Sequence, residues 1–208
     1  MQKRDTIIFD LGGVLVDWNR EYVYKTIFEK KDEMDWFLQN ITSADWNEAQ
    51  DGGRTIQEAN EILIRSFPEH EANIRAYYER WEEMLGGPIE GTVEIFRRLK
   101  KDPALKFYAL TNWSAETFPV ALARYDFLHW FDGRLVSGEE KTRKPFIGIY
   151  ELLLSRFSID PTRAIYIDDN ARNLAPAASL GIETILFRNP TQLEADLEHL
   201  LSRQTAAE

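Results

Sequence analysis

Five polar groups in this 208-residue chain stand where chemistry is possible, each directly after an apolar run. Asp10 closes TIIFD (6–10), Thr111 and Asn112 close KFYALTN (106–112), and Asp168 and Asp169 close RAIYIDD (163–169). A lone Asp before two glycines serves either as a turn or helix cap or as a carboxylate nucleophile or metal ligand, with Gly12 and Gly13 letting a ligand approach the backbone. The Asp168–Asp169 pair reads differently. One carboxylate is enough to cap a helix, whereas two side by side repel unless a cation neutralises them. With Asp10 they compose an all-oxygen donor set of the kind Mg²⁺ prefers. Thr111 and Asn112 either satisfy turn backbone or offer neutral donors to phosphoryl oxygens. Lys144, in EEKTRKPFIGIY, is either a solvated loop lysine or one turned inward to balance carboxylates and an anionic substrate.

The elements that must hold these groups follow from the pattern. TIIFD, KFYALTN, RAIYIDD and ETILF (183–187) are strand-length, rich in β-branched and aromatic residues, and bounded by polar residues, Gly or Pro. Helical patterns lie between them: TVEIFRRLKK (92–101), IGIYELLLSRF (147–157) with Pro145 at its first turn, and ARNLAPAASLG (171–181) ending at Gly181. This alternation predicts an α/β fold, a doubly wound, Rossmann-like parallel sheet covered on both faces. In such sheets ligands bind at the carboxyl ends of the strands, where Asp10, Thr111 and Asp168–Asp169 fall. Residues 18–88 break the rhythm. They show no strand and read as helices (YVYKTIFEKK, TIQEANEILIRSF, ANIRAYYERWEEML) interrupted by a QDGGRT loop and closed by GGP at 86–88. The expected organisation is therefore a catalytic core of residues 1–17 and 89–208, with an all-helical cap, 18–88, inserted after the first strand.

Composition narrows the function. The net charge of −10 argues against nucleic acid as a partner, because phosphate backbones need basic surfaces. An anionic substrate would require positive charge supplied locally, by a metal or a placed lysine. There are no cysteines, which fits a reducing, cytoplasmic setting and removes thiolate metal sites. The N-terminal MQKRDTIIF lacks the apolar run of a signal peptide, and no stretch approaches the ~18 apolar residues of a membrane span.

Taken together, DLGGV (10–14), LTN (110–112), Lys144–Pro145 and DDNARN (168–173) resemble the four motifs of the haloacid dehalogenase superfamily, in its order and spacing. The helical region lies where that family inserts its cap, and the likeness is greatest to its sugar-phosphate phosphatases. The resemblance implies that Asp10 is the nucleophile and becomes an aspartyl-phosphate. It implies that Thr111 and Asn112 bind phosphoryl oxygens and that Lys144 neutralises charge. It also implies Mg²⁺ held by Asp10, the Gly12 carbonyl and Asp169, with Asp168 assisting directly or from behind. The substrate would be a small phosphorylated metabolite. The family's specificity loop corresponds to ADWNEAQDGGRT (44–55), with Trp46 as a substrate contact beside Asn47 and Asp51; Trp18 and Asn19, at the cap's entry, are further candidates. One departure matters: the family's second Asp, its general acid and base, is Gly12 here. Loss of such a group costs roughly 10²–10⁴-fold in rate. Leaving groups of low pKa, such as those of sugar 1-phosphates or aryl phosphates, are then expected to react faster than 6-phosphates. The alternatives are a 2-haloacid dehalogenase using the same Asp without metal, and a non-catalytic phosphometabolite-binding protein.

Overall fold

The computed structural model describes residues 4–202; residues 1–3 and 203–208 of the expected core lie outside the described residues. In chain order the elements are β1 (Thr6–Phe9), β2 (Val16–Trp18), α1 (Glu21–Tyr24), α2 (Lys31–Asn40), α3 (Ala44–Asp51), α4 (Ile56–Ser66), α5 (Glu71–Glu79), β3 (Leu85–Pro88), α6 (Glu90–Leu99) and β4 (Lys106–Thr111). There follow α7 (Phe118–Arg124), β5 (Gly133–Val136), α8 (Ser137–Glu140), α9 (Ile147–Phe157), β6 (Ala164–Asp168), α10 (Ala171–Ser179), β7 (Glu183–Leu186) and α11 (Pro190–Ser202).

Five strands form one parallel sheet in the order β5-β4-β1-β6-β7. Alternation along each strand explains how both faces are covered. Ile7, Phe9, Ile165 and Ile167 point into a core with Val93 and Phe96 of α6 and Leu193 and Leu197 of α11. Ile8, Leu110, Leu135 and Tyr166 point the other way, onto Ile149, Tyr150 and Leu153 of α9 and Ala177 of α10. The central strand β1 is buried along its whole length. Phe9 pairs in register with Ala109 on one side and Ile167 on the other. The residues that follow these three therefore emerge together at one edge of the sheet.

The cap differs from expectation in its path. The stretch from 18 to 88 contains part of an antiparallel ribbon, β2 with β3, through which the chain leaves and re-enters the core. The LGGP sequence of β3 carries no strand signal, because backbone pairing rather than side-chain packing makes it a strand. YVYKTIFEKK yields only the single turn α1, and a full helix begins at Lys31, after Lys30 turns extended. Residues 44–51, expected as a loop, form α3, whose start is capped by the Ser43 hydroxyl accepting from the Trp46 N–H. The pattern over 72–85 ends as a helix at Glu79 and continues as a 3₁₀ turn at Trp81–Met84. In the core, β5 is a short edge strand that the sequence reading missed, and α9 begins at Ile147, two residues after Pro145.

Candidate active site

Lys144 organises the site. Its side chain is fully buried, and its Nζ lies 2.8 Å from Asp10 Oδ2 and 2.7 Å from Asp168 Oδ2. Three features hold it there. The Asn112 side chain bonds the Lys144 backbone on both sides: Oδ1 accepts its N–H at 2.8 Å and Nδ2 donates to its carbonyl at 3.0 Å. Asp168 is fixed in turn by donors on both oxygens, from Asn170 N and Asn173 Nδ2 on Oδ1, and from Asn173 Nδ2 and the Tyr166 hydroxyl on Oδ2. Asp10 receives the Leu11 N–H on Oδ1 at 2.7 Å, while its own N–H extends the β1–β6 ladder to Ile167 O.

The electrostatics follow from this crowding. Burial pushes the Asp10 carboxyl up to about 8; Lys144 pulls it back, while Asp168 and Asp169 push further. For Asp168 burial works in the same direction but is outweighed by Lys144 and by its hydrogen-bond donors, so its pKa is lowered. Burial disfavours the Lys144 ammonium, yet Asp10 and Asp168 outweigh it and hold the lysine charged. Asp169 is raised by partial desolvation and by Asp168. Three carboxylates, with oxygens within 4.8 Å of one another, thus share one ammonium. Fully ionised, they carry a charge excess that a divalent cation matches, and their all-oxygen chemistry suits Mg²⁺. Asp168 is the more heavily bonded of the two buried carboxylates, with Lys144, Tyr166, Asn170 and Asn173 all donating to it, whereas Asp10 receives only the Leu11 N–H and Lys144. Asp168, wholly buried, also aims Lys144 through its Oδ2.

Gly13 explains why a glycine pair follows Asp10. It has φ +74°, and a Cβ there would collide with the Asp169 carboxylate. Gly12 is different: its φ is not positive, and a Cβ would meet nothing within 4 Å. That open space belongs to a cavity of about 90 Å³ between core and cap. Its wall includes Trp18, Tyr78, Trp81 and Trp113 as aromatic faces, with Asn47, Asp51, Asn112 and Ser114 as polar groups. The buried hydroxyl of Thr111 and the indole N–H of Trp113 have no hydrogen-bond partner among the described residues, so each keeps a donor in reserve.

The expected site residues therefore separate. Asp10, Gly12, Thr111, Lys144, Asp168 and Asp169 gather at the carboxyl edge of the sheet. Asn112 joins them, but its side chain is committed mainly to the Lys144 backbone. Trp46 does not line the cavity. It is buried behind α3, its indole N–H donates to Ala59 O at 3.2 Å, and its ring meets Tyr77 edge-on at 5.0 Å. Because 44–51 is a helix, Trp46 points about 100° or more away from Asn47 and Asp51, into the cap's interior, and it braces them. Trp18 does reach the cavity, while Tyr78, Trp81 and Trp113 were missed. Only their positions in three dimensions distinguish them from core aromatics.

The chain belongs to the haloacid dehalogenase-like hydrolases: the family's sequence pattern matches residues 4–181. Among curated proteins it is 26% identical to the phosphorylated carbohydrates phosphatase of Thermotoga maritima, over 87% of this chain and 83% of that one. It is also 26% identical to the sesquiterpene phosphatase astK of Aspergillus oryzae, over 84% and 85%. Drimenol cyclase drtB of Aspergillus calidoustus is 26% identical over 93% of this chain, which spans only 36% of that protein's length. Among solved structures, the HAD family enzyme bt-2542 of Bacteroides thetaiotaomicron, in complex with magnesium and inorganic phosphate, superposes with a TM-score of 0.66 at 22% identity, covering 89% of this chain and 95% of that one.

Proposed function

We propose that the protein is a Mg²⁺-dependent phosphatase of a small phosphorylated metabolite, working through an aspartyl-phosphate on Asp10. The observation that carries this reading is the cluster of three carboxylates around one buried lysine, with Gly12 and Asn112, their neighbours in the chain and in the site, lining an aromatic-walled cavity. Asp10, the Gly12 carbonyl and Asp169 would hold the ion, with Asp168 behind them. Bound there, Mg²⁺ would neutralise the carboxylates and the phosphoryl charge.

The chain's own residues then divide the work. The Asp10 carboxylate attacks phosphorus, and the bond to the substrate's leaving oxygen breaks. Lys144, aimed by Asp168 and Asn112, offsets charge on the nucleophile and the transferring group. The free Thr111 hydroxyl donates to a phosphoryl oxygen. Water next attacks phosphorus in the aspartyl-phosphate, releasing inorganic phosphate and restoring Asp10. Flat aromatic faces beside Asn47 and Asp51 suit the alternating CH and OH surfaces of a sugar. The carbohydrate phosphatase relative favours the same substrate class, whereas the sesquiterpene phosphatase relative makes an apolar phosphate ester the comparison substrate.

The test is phosphate release from a panel of phosphorylated sugars and prenyl phosphates, with Mg²⁺ or with excess chelator, beside chloride release from 2-haloacids. Mg²⁺-dependent phosphate release is expected. Metal-independent chloride release would establish the dehalogenase reading, and no turnover of any substrate would leave a binding protein.

A further inference from the structure

The missing acid at position 12 raises the question of what protonates the leaving oxygen. We infer that Asp51, supplied by the cap, is the general acid and base of this site; the inference rests on the phosphatase reading above.

Geometry carries it. Asp51 ends α3 and lines the same cavity as Gly12, whose missing side chain leaves that space open. Among the described residues it is the only one in the cavity wall with a carboxyl group; the others are aromatic, amide, hydroxyl or glycine. Tyr78, also in the wall, has its phenol raised by burial and cannot compete as an acid near neutrality. The Asp51 carboxyl is held in place rather than free. Asn47, one turn earlier, donates to its Oδ2 at 3.2 Å, and the Tyr77 hydroxyl orients that amide by donating to Asn47 Oδ1 at 2.9 Å. Two ion pairs fix α3 over the sheet edge: Glu48 meets Arg143 at 2.7 Å and Arg172 at 2.5 Å.

The surroundings also suit the task. Burial raises the Asp51 carboxyl to about 7, and Glu48 on its own helix adds to this. Arg143 and Lys144, from the segment before α9, and the Ser114 N–H pull it down; Tyr77 and Tyr78 of α5 also face it. Both protonation states are then populated near neutral pH, as general acid–base work requires. In the first step Asp10 forms its bond to phosphorus, the bond to the leaving oxygen breaks, and that oxygen takes the Asp51 proton. In the second, water gives a proton to the Asp51 carboxylate as its oxygen bonds to phosphorus and the bond to Asp10 breaks. No proton is gained or lost over the cycle.

The experiment compares kcat/KM for aryl phosphates graded in phenol pKa, with Mg²⁺, for wild type, Asp51→Asn, Gly12→Asp and the double variant; folding is checked by circular dichroism, with Asp51→Ser as a second substitution. The wild type should depend only weakly on phenol pKa. Asp51→Asn should depend steeply, losing least with the most acidic phenol and about 10²–10⁴-fold with the least acidic. Gly12→Asp should restore the shallow dependence in the double variant, because the Cβ there has open space. An even loss across the series, a change confined to KM, or a wild type already steep would overturn the role of Asp51. A wild type that hydrolyses no member of the series would overturn the phosphatase reading and, with it, this one.

Discussion

At the scale of single residues, Lys144 is the least replaceable. Its ammonium is fully buried between Asp10 and Asp168, so Lys144→Ala leaves two buried carboxylates without their cation. Breaking a buried pair on one side costs about 3–5 kcal/mol. Urea unfolding of Lys144→Ala should show a loss of that size, and activity should vanish; stability equal to wild type would mean that the carboxylates are compensated elsewhere. The expectation for Gly12 drawn from sequence, a preference for acidic leaving groups, holds only if no other acid reaches the cavity. Asp51 does reach it, and so the preference should appear in Asp51→Asn rather than in the wild type.

At the scale of elements, α3 links the cap to the chemistry. Because its folded-state pKa is raised, the Asp51 carboxyl stays protonated in the folded chain while the unfolded chain has already lost that proton. Stability from this group therefore falls as pH rises from about 4 to 7 and stays reduced above. Asp51→Asn removes the penalty. Thermal unfolding in chelator should find the variant more stable at pH 8, on the order of 1–3 kcal/mol, and the gain should disappear near pH 4. A gain independent of pH would assign it to packing. Trp46 makes the complementary case: as a brace rather than a substrate contact, Trp46→Ala should cost about 3–5 kcal/mol. Trp46→Phe should keep KM within a few-fold.

Elements also show what the sequence could disclose. Parallel strands buried wholly or for most of their length announce themselves as apolar runs ending in polar residues, so β1, β4 and β6 and the groups at their ends were legible, and the β-branched run ETIL marked the edge strand β7 as well. The edge strand β5, GRLV, is too short and mixed to stand out. The ribbon strand β3 contains two glycines and a proline and exists only because β2 pairs with it. Between 44 and 51, the Gly52–Gly53 pair suggested a loop, while the Ser43 cap starts a helix. Of the three residues the sequence offered there, that helix turns Trp46 away and leaves Asn47 and Asp51 lining the cavity.

Across the whole molecule, cap and core meet through few polar links over a shared aromatic cavity. Glu48 ties α3 to Arg143 and Arg172, and the core's Glu116 accepts the first N–H of α4, from Ile56, at 2.7 Å. Such partly exposed pairs contribute roughly 0–1 kcal/mol each. Glu48→Gln should accordingly loosen cap docking, lowering kcat/KM several-fold while leaving global stability nearly unchanged. Metal binding is separable from docking. Mg²⁺ should raise the melting temperature in a concentration-dependent way, by linkage, in wild type and Glu48→Gln alike. In Asp169→Ala the shift should be lost or need far more metal; an undiminished shift would remove Asp169 from the ligand set.

The central claim is that Asp10 becomes covalently phosphorylated. The most direct measurement is acid quenching of enzyme during turnover of a phosphate ester with Mg²⁺, followed by borohydride reduction and peptide mass spectrometry. The account predicts conversion of residue 10 to homoserine, the product of reducing an aspartyl-phosphate, and no such product in chelator or in Asp10→Asn. Trapping at another residue, or full turnover by a folded Asp10→Asn variant, would contradict it.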